Sequence, residues 1–122
     1  MKTKGQMEAE ISKTVVKAVR EYIGRGPIDT RTYIIEDLIV VREKEVLIPA
    51  EQHLLEHEEQ NTGRDLVKHM REVLTEKSRE VFEEAIHKLT GRNVVSLHAD
   101  ISTKTGERII VFTLDAPVEF KE

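Results

Sequence analysis

Between Thr62 and Leu89 nothing in the sequence stops a helix, and no other stretch constrains the fold as much. Leu66, Met70, Leu74, Val81, Ala85 and Leu89 recur at helical spacing, Ser78 fills the gap in the stripe, and Gly91 follows as a C-cap. Uninterrupted, such a helix is about 42 Å long at about 1.5 Å per residue. A chain of 122 residues folds to a radius of gyration of only about 14 Å. The helix must therefore break near Thr75 to Ser78 or overhang into a partner. The overhang predicts a homo-oligomer, most simply a two-fold dimer, joined through Val81 and Phe82 or through a continuous sheet.

The remaining segments supply what this helix packs on. Met7, Ile11, Val15, Ala18 with Val19, and Tyr22 form the apolar face of a first helix, over about Met7 to Ile23. Gly24-Arg25-Gly26-Pro27 ends it. Ile, Val, Tyr and Thr then dominate from Arg31 to Leu47. This predicts strands over Thr32 to Ile35 and Leu38 to Leu47, either a hairpin turning at Glu36-Asp37 or one long bent strand. Pro49 opens a short helix over Ala50 to about Glu59. Asn93 to Ile101 alternates, with Val95, Leu97, Ala99 and Ile101 on one face and Ser96, His98 and Asp100 on the other. Glu107 to Asp115 returns, and Gly106 in the intervening loop suits a left-handed bulge position. The expected fold is one α+β domain over residues 1–122. Its order is α-β-β-α-α-β-β, a two-layer arrangement with helices on one face of an antiparallel or mixed four-stranded sheet.

Composition narrows the function classes. The net charge is −4 and only 4% of residues are aromatic, so no nucleic-acid partner is expected. The element order also fits one type of KH domain. The junction Glu58-Glu59-Gln60-Asn61-Thr62-Gly63-Arg64-Asp65 lacks that fold's G-x-x-G phosphate clamp, however. Cysteine is absent, which removes disulfides, thiol nucleophiles and thiolate metal sites. The longest aliphatic runs are four-residue stretches such as Leu38 to Val41, and the N-terminus carries mixed charge. A soluble cytoplasmic chain with no direct membrane insertion is expected. Abundant Glu, Lys and Arg beside scarce Asn and Gln match a heat-adapted protein, or an ordinary charged helical surface.

Few residues suggest chemistry. His53-Leu54-Leu55-Glu56-His57 matches the H-x-x-E-H pattern of one class of zinc peptidases. No third ligand stands at a defined spacing and the scaffold is small, so neither a metal, nor another cofactor, nor a catalytic residue is predicted. Ser96, His98 and Asp100 are about 6.8 Å apart along a strand, beyond hydrogen-bond reach for a triad, but they suit contact with a ligand or partner. Ser102, Thr103, Lys104 and Thr105 of the adjoining loop extend that surface. Arg25, in its glycine-flanked turn, could hold an anion.

Several segments together carry a resemblance. They are Gly24 to Pro27, Asp37 to Arg42, Val46-Leu47-Ile48-Pro49-Ala50-Glu51, Leu89-Thr90-Gly91-Arg92-Asn93-Val94, Ser96 to Glu107, and Val111-Phe112-Thr113-Leu114-Asp115. This set resembles the small bacterial proteins called MpsC, named after a proposed sodium-translocating, membrane-potential-generating system. Glu45 stands where that pattern has glycine, and Ile48 where it has threonine. The resemblance implies a cytoplasmic, non-enzymatic accessory or regulatory module with a membrane-protein partner in a cation or bicarbonate-linked transport system. It supplies no catalytic residue. A small-molecule or anion binder using the C-terminal hairpin is the alternative.

Overall fold

The computed structural model describes residues 1–24, 26–27, 29–56 and 61–121. Its elements are α1 (Lys4–Ile23), β1 (Asp29–Ile35), β2 (Leu38–Lys44), α2 (Pro49–Leu55), α3 (Thr62–Thr90), β3 (Val94–Ile101) and β4 (Arg108–Leu114). The four strands form one sheet in the order β1-β2-β4-β3, and every neighbouring pair is antiparallel. The α+β expectation and its element order hold, and the sheet is antiparallel throughout.

Local chemistry fixes most boundaries. Helix α1 starts at Lys4, three residues earlier than the apolar stripe, because Thr3 and Gln6 cap each other: the Gln6 N–H donates to Thr3 Oγ1 at 3.2 Å and the Thr3 N–H to Gln6 Oε1 at 3.0 Å. Tyr22 proves exposed, and Ile23 takes its place against the core. The hairpin reading of the first two strands holds, with Ile35 paired to Leu38 around Glu36-Asp37. Glu36 has φ 56°, so a glutamate occupies the left-handed conformation a glycine would adopt without strain. Strand β2 stops at Lys44 rather than Leu47 because Glu45 turns left-handed at φ 53°. Helix α2 begins at Pro49 without a side-chain cap from Ile48; the Ile48 N–H instead donates to Glu51 Oε1 at 2.9 Å. Its expected extension to Glu59 falls partly outside the described residues, but Leu55 is the last helical one before them.

Helix α3 is unbroken from Thr62 to Thr90. Its start lies so close to α2 that a Cβ on Gly63 would stand 1.8 Å from the Leu54 carbonyl oxygen. The buried stripe is Val67, Arg71, Thr75, Ser78, Phe82 and Ile86, not the one drawn through Leu66 and Val81, which are exposed. Of the expected stripe only Ser78 is buried; the true stripe carries Arg71 and Thr75, whose polar partners Glu51 and Arg108 lie elsewhere in the chain. Phe82 belongs to the core, so it is not a contact residue on an overhanging helix. There it meets Phe112 edge-on, with ring centroids 6.1 Å apart. Met7, Ile11 and Val15 of α1, with Phe82 and Ile86 of α3, lie over Ile34, Ile39, Val41, Ile110, Phe112 and Leu114 of the sheet. Both α1 and α3 cover that one face.

Candidate functional site

The face of the sheet turned away from the helices has a definite composition because register is fixed. Three rows cross all four strands. Arg31, Arg42, Ile109 and Asp100 form the first, Tyr33, Val40, Val111 and His98 the second, and Ile35, Leu38, Thr113 and Ser96 the third. Six of these twelve side chains are aliphatic or tyrosine, and among the described residues no helix lies over them. Tyr33 is 45% exposed and Ile35 54%. Across β1 and β2, Arg31 lies directly opposite Arg42, a like-charge pairing that sheets avoid. Each has an acid nearby: Arg31 Nε is 3.4 Å from Asp29 Oδ2, and Arg42 Nε 2.7 Å from Glu107 Oε2.

The sheet's two outer edges are guarded from the helix side. At β1, the Ile34 N–H donates to Glu8 Oε2 at 2.8 Å, and Ser12 Oγ lies 2.7 Å from Thr32 Oγ1. At β3, Lys68 of α3 approaches the Ile101 carbonyl oxygen at 3.4 Å and forms a 2.9 Å ion pair with Asp100. The Lys68 ammonium is the main reason the Asp100 carboxyl sits below its ordinary pKa, with the Ile101 N–H adding to it. Edge-to-edge strand addition is obstructed at both ends by these charged side chains.

Between α3 and the β3 edge lies a cleft of about 370 Å³, lined among others by Lys68, Arg71, Thr75, His98, Asp100 and Arg108. Behind it is a buried ionic network. Arg71, 4% exposed, grips Glu51 with two charge-assisted hydrogen bonds, from Nε at 2.7 Å and Nη2 at 2.6 Å, and Nη2 also reaches the Val46 carbonyl oxygen at 2.8 Å. Thr75 links this pair to a second. Its hydroxyl donates to the Arg71 carbonyl oxygen at 2.8 Å and accepts from Arg108 Nη2 at 2.6 Å, while Arg108 Nη1 stands 3.4 Å from Glu43 Oε1. Burial pushes the Glu43 carboxyl above its ordinary pKa despite Arg108 and Arg71 beside it, and burial also pulls the Arg108 guanidinium down. Two atoms of the network, Glu43 Oε2 and Arg71 Nη1, have no hydrogen-bond partner.

The predicted contact residues separate into groups. His98 and Asp100 reach the mouth of the cleft, whereas Ser96 remains in the open-face row with Thr113. The hairpin consumes much of its own polar chemistry. Ser102 Oγ accepts from the Thr105 N–H at 3.3 Å, and Thr105 Oγ1 from the Glu107 N–H at 3.2 Å. Gly106 holds φ 75°, as its bulge position requires. Lys104 is exposed and Thr103 half-buried in that turn. Arg25 lies outside the described residues, as does His57 of the H-x-x-E-H match. His53 of that match is exposed and faces Glu56 at 3.6 Å.

Sequence reasoning missed Lys68, Arg71, Thr75 and Arg108 in the cleft, and Glu43 and Glu51 behind it. A signal existed. The inward positions of β4 are Arg108, Ile110, Phe112 and Leu114, and those of β2 are Ile39, Val41 and Glu43, so strict alternation points one charge from each strand into the interior.

Among the described residues, no helix is long and apolar enough to cross a membrane, and no group of three or more His, Cys, Asp or Glu could hold a metal ion. No solved structure matches the chain. A curated relative, "Uncharacterized protein YbcI" of Bacillus subtilis (strain 168), is 40% identical over 113 residues, covering 93% of this chain and 89% of the relative. Residues 3–116 match the profile of the family described as "Na+-translocating membrane potential-generating system (MpsC)". With a match of that span and a relative of that identity, the chain belongs to the MpsC family.

Proposed function

We propose that the chain is a cytoplasmic, non-enzymatic accessory module of a membrane cation-transport system, acting as a homodimer built across the open face of its sheet. The observation that carries this reading is that face, where Tyr33 and Ile35 are exposed and Leu38, Val40, Ile109 and Val111 half-buried beside a row carrying Arg31, Arg42 and Asp100. The family's description supports the transport context. Inverted membrane vesicles from cells lacking the gene test it. Added wild-type protein is expected to restore a Na+-dependent membrane potential, and a Val40→Glu, Val111→Glu variant is not. Equal potentials with and without the protein would end the reading.

A second reading rests on the cleft. Its cationic groups lie inward, on Arg71 and Arg108, while Glu72 and Glu76 are exposed beside it. That arrangement suits a small ligand with an anionic end, held by Lys68 and His98 in the regulatory role of the same module. Thermal-shift measurement against small carboxylates, phosphates and amino acids tests it. Any stabilising compound should lose about tenfold or more in affinity in Lys68→Ala, the range of one charge-assisted hydrogen bond. No stabilisation by any compound class would remove this reading.

A further inference from the structure

We infer that two copies pack open face to open face about a two-fold axis parallel to the strands and midway between β2 and β4, with Arg31 of each meeting Asp100 of the partner subunit. This rests on the homodimeric accessory-module reading and names the geometry of its interface.

The strand order selects the axis. A two-fold parallel to the strands lays β1 over β3 of the partner subunit and β2 over β4, while keeping each row level with its equivalent. The first row then sets Arg31 against the partner's Asp100 and Arg42 against the partner's Ile109. The second sets Tyr33 against the partner's His98 and Val40 against the partner's Val111. The third brings Ile35 over the partner's Ser96 and Leu38 over the partner's Thr113. Val40 and Val111 fall at the centre, and the outer strands bring Arg31, Tyr33 and Ile35 against the partner's Asp100, the partner's His98 and the partner's Ser96. The alternative axis, in the sheet plane but across the strands, places Arg31 on the partner's Ile35 and Arg42 on the partner's Leu38. It seats both Arg31 and Arg42 on aliphatic carbons, with Asp29 and Glu107 of their own chain as the only acids beside them, whereas the chosen axis does so for Arg42 alone. The chosen axis also brings a second carboxylate, the partner's Asp100, to the Arg31 side of the like-charged Arg31–Arg42 pair, beside Asp29 of the same chain.

Size and edges agree with a face-to-face contact. At about 4.8 Å between strands and about 3.4 Å per residue, the sheet presents a flat footprint of ~450 Å² per copy, or ~900 Å² for two, before side-chain relief is added. That lies below the ~1,200–2,000 Å² of a standard interface, so the dimer should be reversible at micromolar concentration. Pairing through the outer strands is obstructed by Glu8 at β1 and by Lys68 at β3. Aligned sheets pack about 10 Å apart with strands about 30° off parallel, which the twist of this antiparallel sheet accommodates.

Charge exchange on the full chain tests the geometry. Arg31 and Asp100 are both exposed, so their substitution leaves the fold intact. Light scattering from about 1 to 100 µM should show a mass approaching twice 14.0 kDa. Arg31→Glu and Asp100→Arg singly should each weaken the dimer about tenfold or more, and the double exchange should restore it. A mass near 14.0 kDa at every concentration would overturn the inference and the homodimer of the proposed function, leaving only the transport role to the vesicle assay. The inference also fails with a dimer that ignores both single changes, or one lost only on Val81→Glu in α3. Conversely, charge-dependent dimers with no effect on vesicle potential would keep the interface and end the transport reading.

Discussion

The two faces of this one sheet invert the usual expectation about which side chains are hidden. The face under α1 and α3 buries Ile39, Val41, Ile110 and Phe112, but it also buries Glu43 and Arg108, each less than a tenth exposed. The opposite face leaves Tyr33 and Ile35 in solvent and keeps its charges, Arg31, Arg42 and Asp100, at one end. Hydrophobicity alone does not divide the two. The covered face tolerates charge because an ionic partner from a helix or a neighbouring strand stands at bonding distance. The open face carries its apolar groups half-buried or exposed, beyond the reach of either helix.

The largest effect should come from truncating the covered face. Phe112→Ala is expected to cost about 3–5 kcal/mol in chemical denaturation, since it removes a fully buried ring and the Phe82 contact. Its neighbour Val111→Ala, on the open face, should cost less than about 1 kcal/mol in the dissociated monomer. Equal losses would erase the distinction between the faces. Nearly as large, Arg71→Ala should cost about 3–5 kcal/mol by leaving Glu51 charged and buried without its partner. Replacing both, Arg71→Met with Glu51→Leu, should recover most of that loss. A double variant as unstable as the single one would show that the network holds the fold by its geometry rather than by charge balance.

A smaller effect separates the faces by pH. The raised pKa of Glu43 means the folded state binds its proton more tightly than the unfolded state. Its contribution to stability is therefore fully present below about 4.5 and is lost as pH rises through the folded value. Asp100, depressed by Lys68, has the opposite sign: its contribution is present above about 3.8 and is lost as pH falls through the folded value. Subtracting the Glu43→Gln denaturation profile from the wild-type profile should leave a difference that declines as pH rises above about 4.5. A difference that grows instead would mean Arg108 outweighs burial at Glu43. The smallest change is expected for Lys68→Ala, under about 1 kcal/mol, because its pair with Asp100 is solvent-exposed. A larger loss would make the β3 edge a structural rather than a guarding contact.

Much of the fold was legible because local rules and tertiary demands agree. Gly24, Pro49, Gly91 and Gly106 each mark an element boundary, and the alternation of Ser96, His98 and Asp100 against Leu97, Ala99 and Ile101 survives in the sheet, whereas Val95, expected on the apolar face, is exposed at a bulge and Val94 packs on the core instead. Less of the candidate site could be read. Strand alternation marks His98 and Asp100, but their companions Lys68, Arg71 and Thr75 lie on a separate helix, beside the stripe that its apolar residues draw. A stripe drawn through apolar residues passes beside Arg71, whose burial depends on Glu51 from α2 and on Val46.

The sequence by itself determined the element types and their order, because periodicity, caps and turn residues act within a few positions of one another. It also determined, through the period of two, which residues share a strand face, except at the start of β3, where a bulge between Val94 and Ser96 leaves Val95 exposed and packs Val94 on the core. Only the tertiary structure decided that α3 runs unbroken across the sheet and is rotated to bury Arg71 and Thr75. It also decided that β4 inserts between β2 and β3, and so which residues make each row of the open face. Those outcomes depend on charge pairs and strand neighbours separated by tens of residues, whose energies exist only after the chain has brought them within a few ångströms.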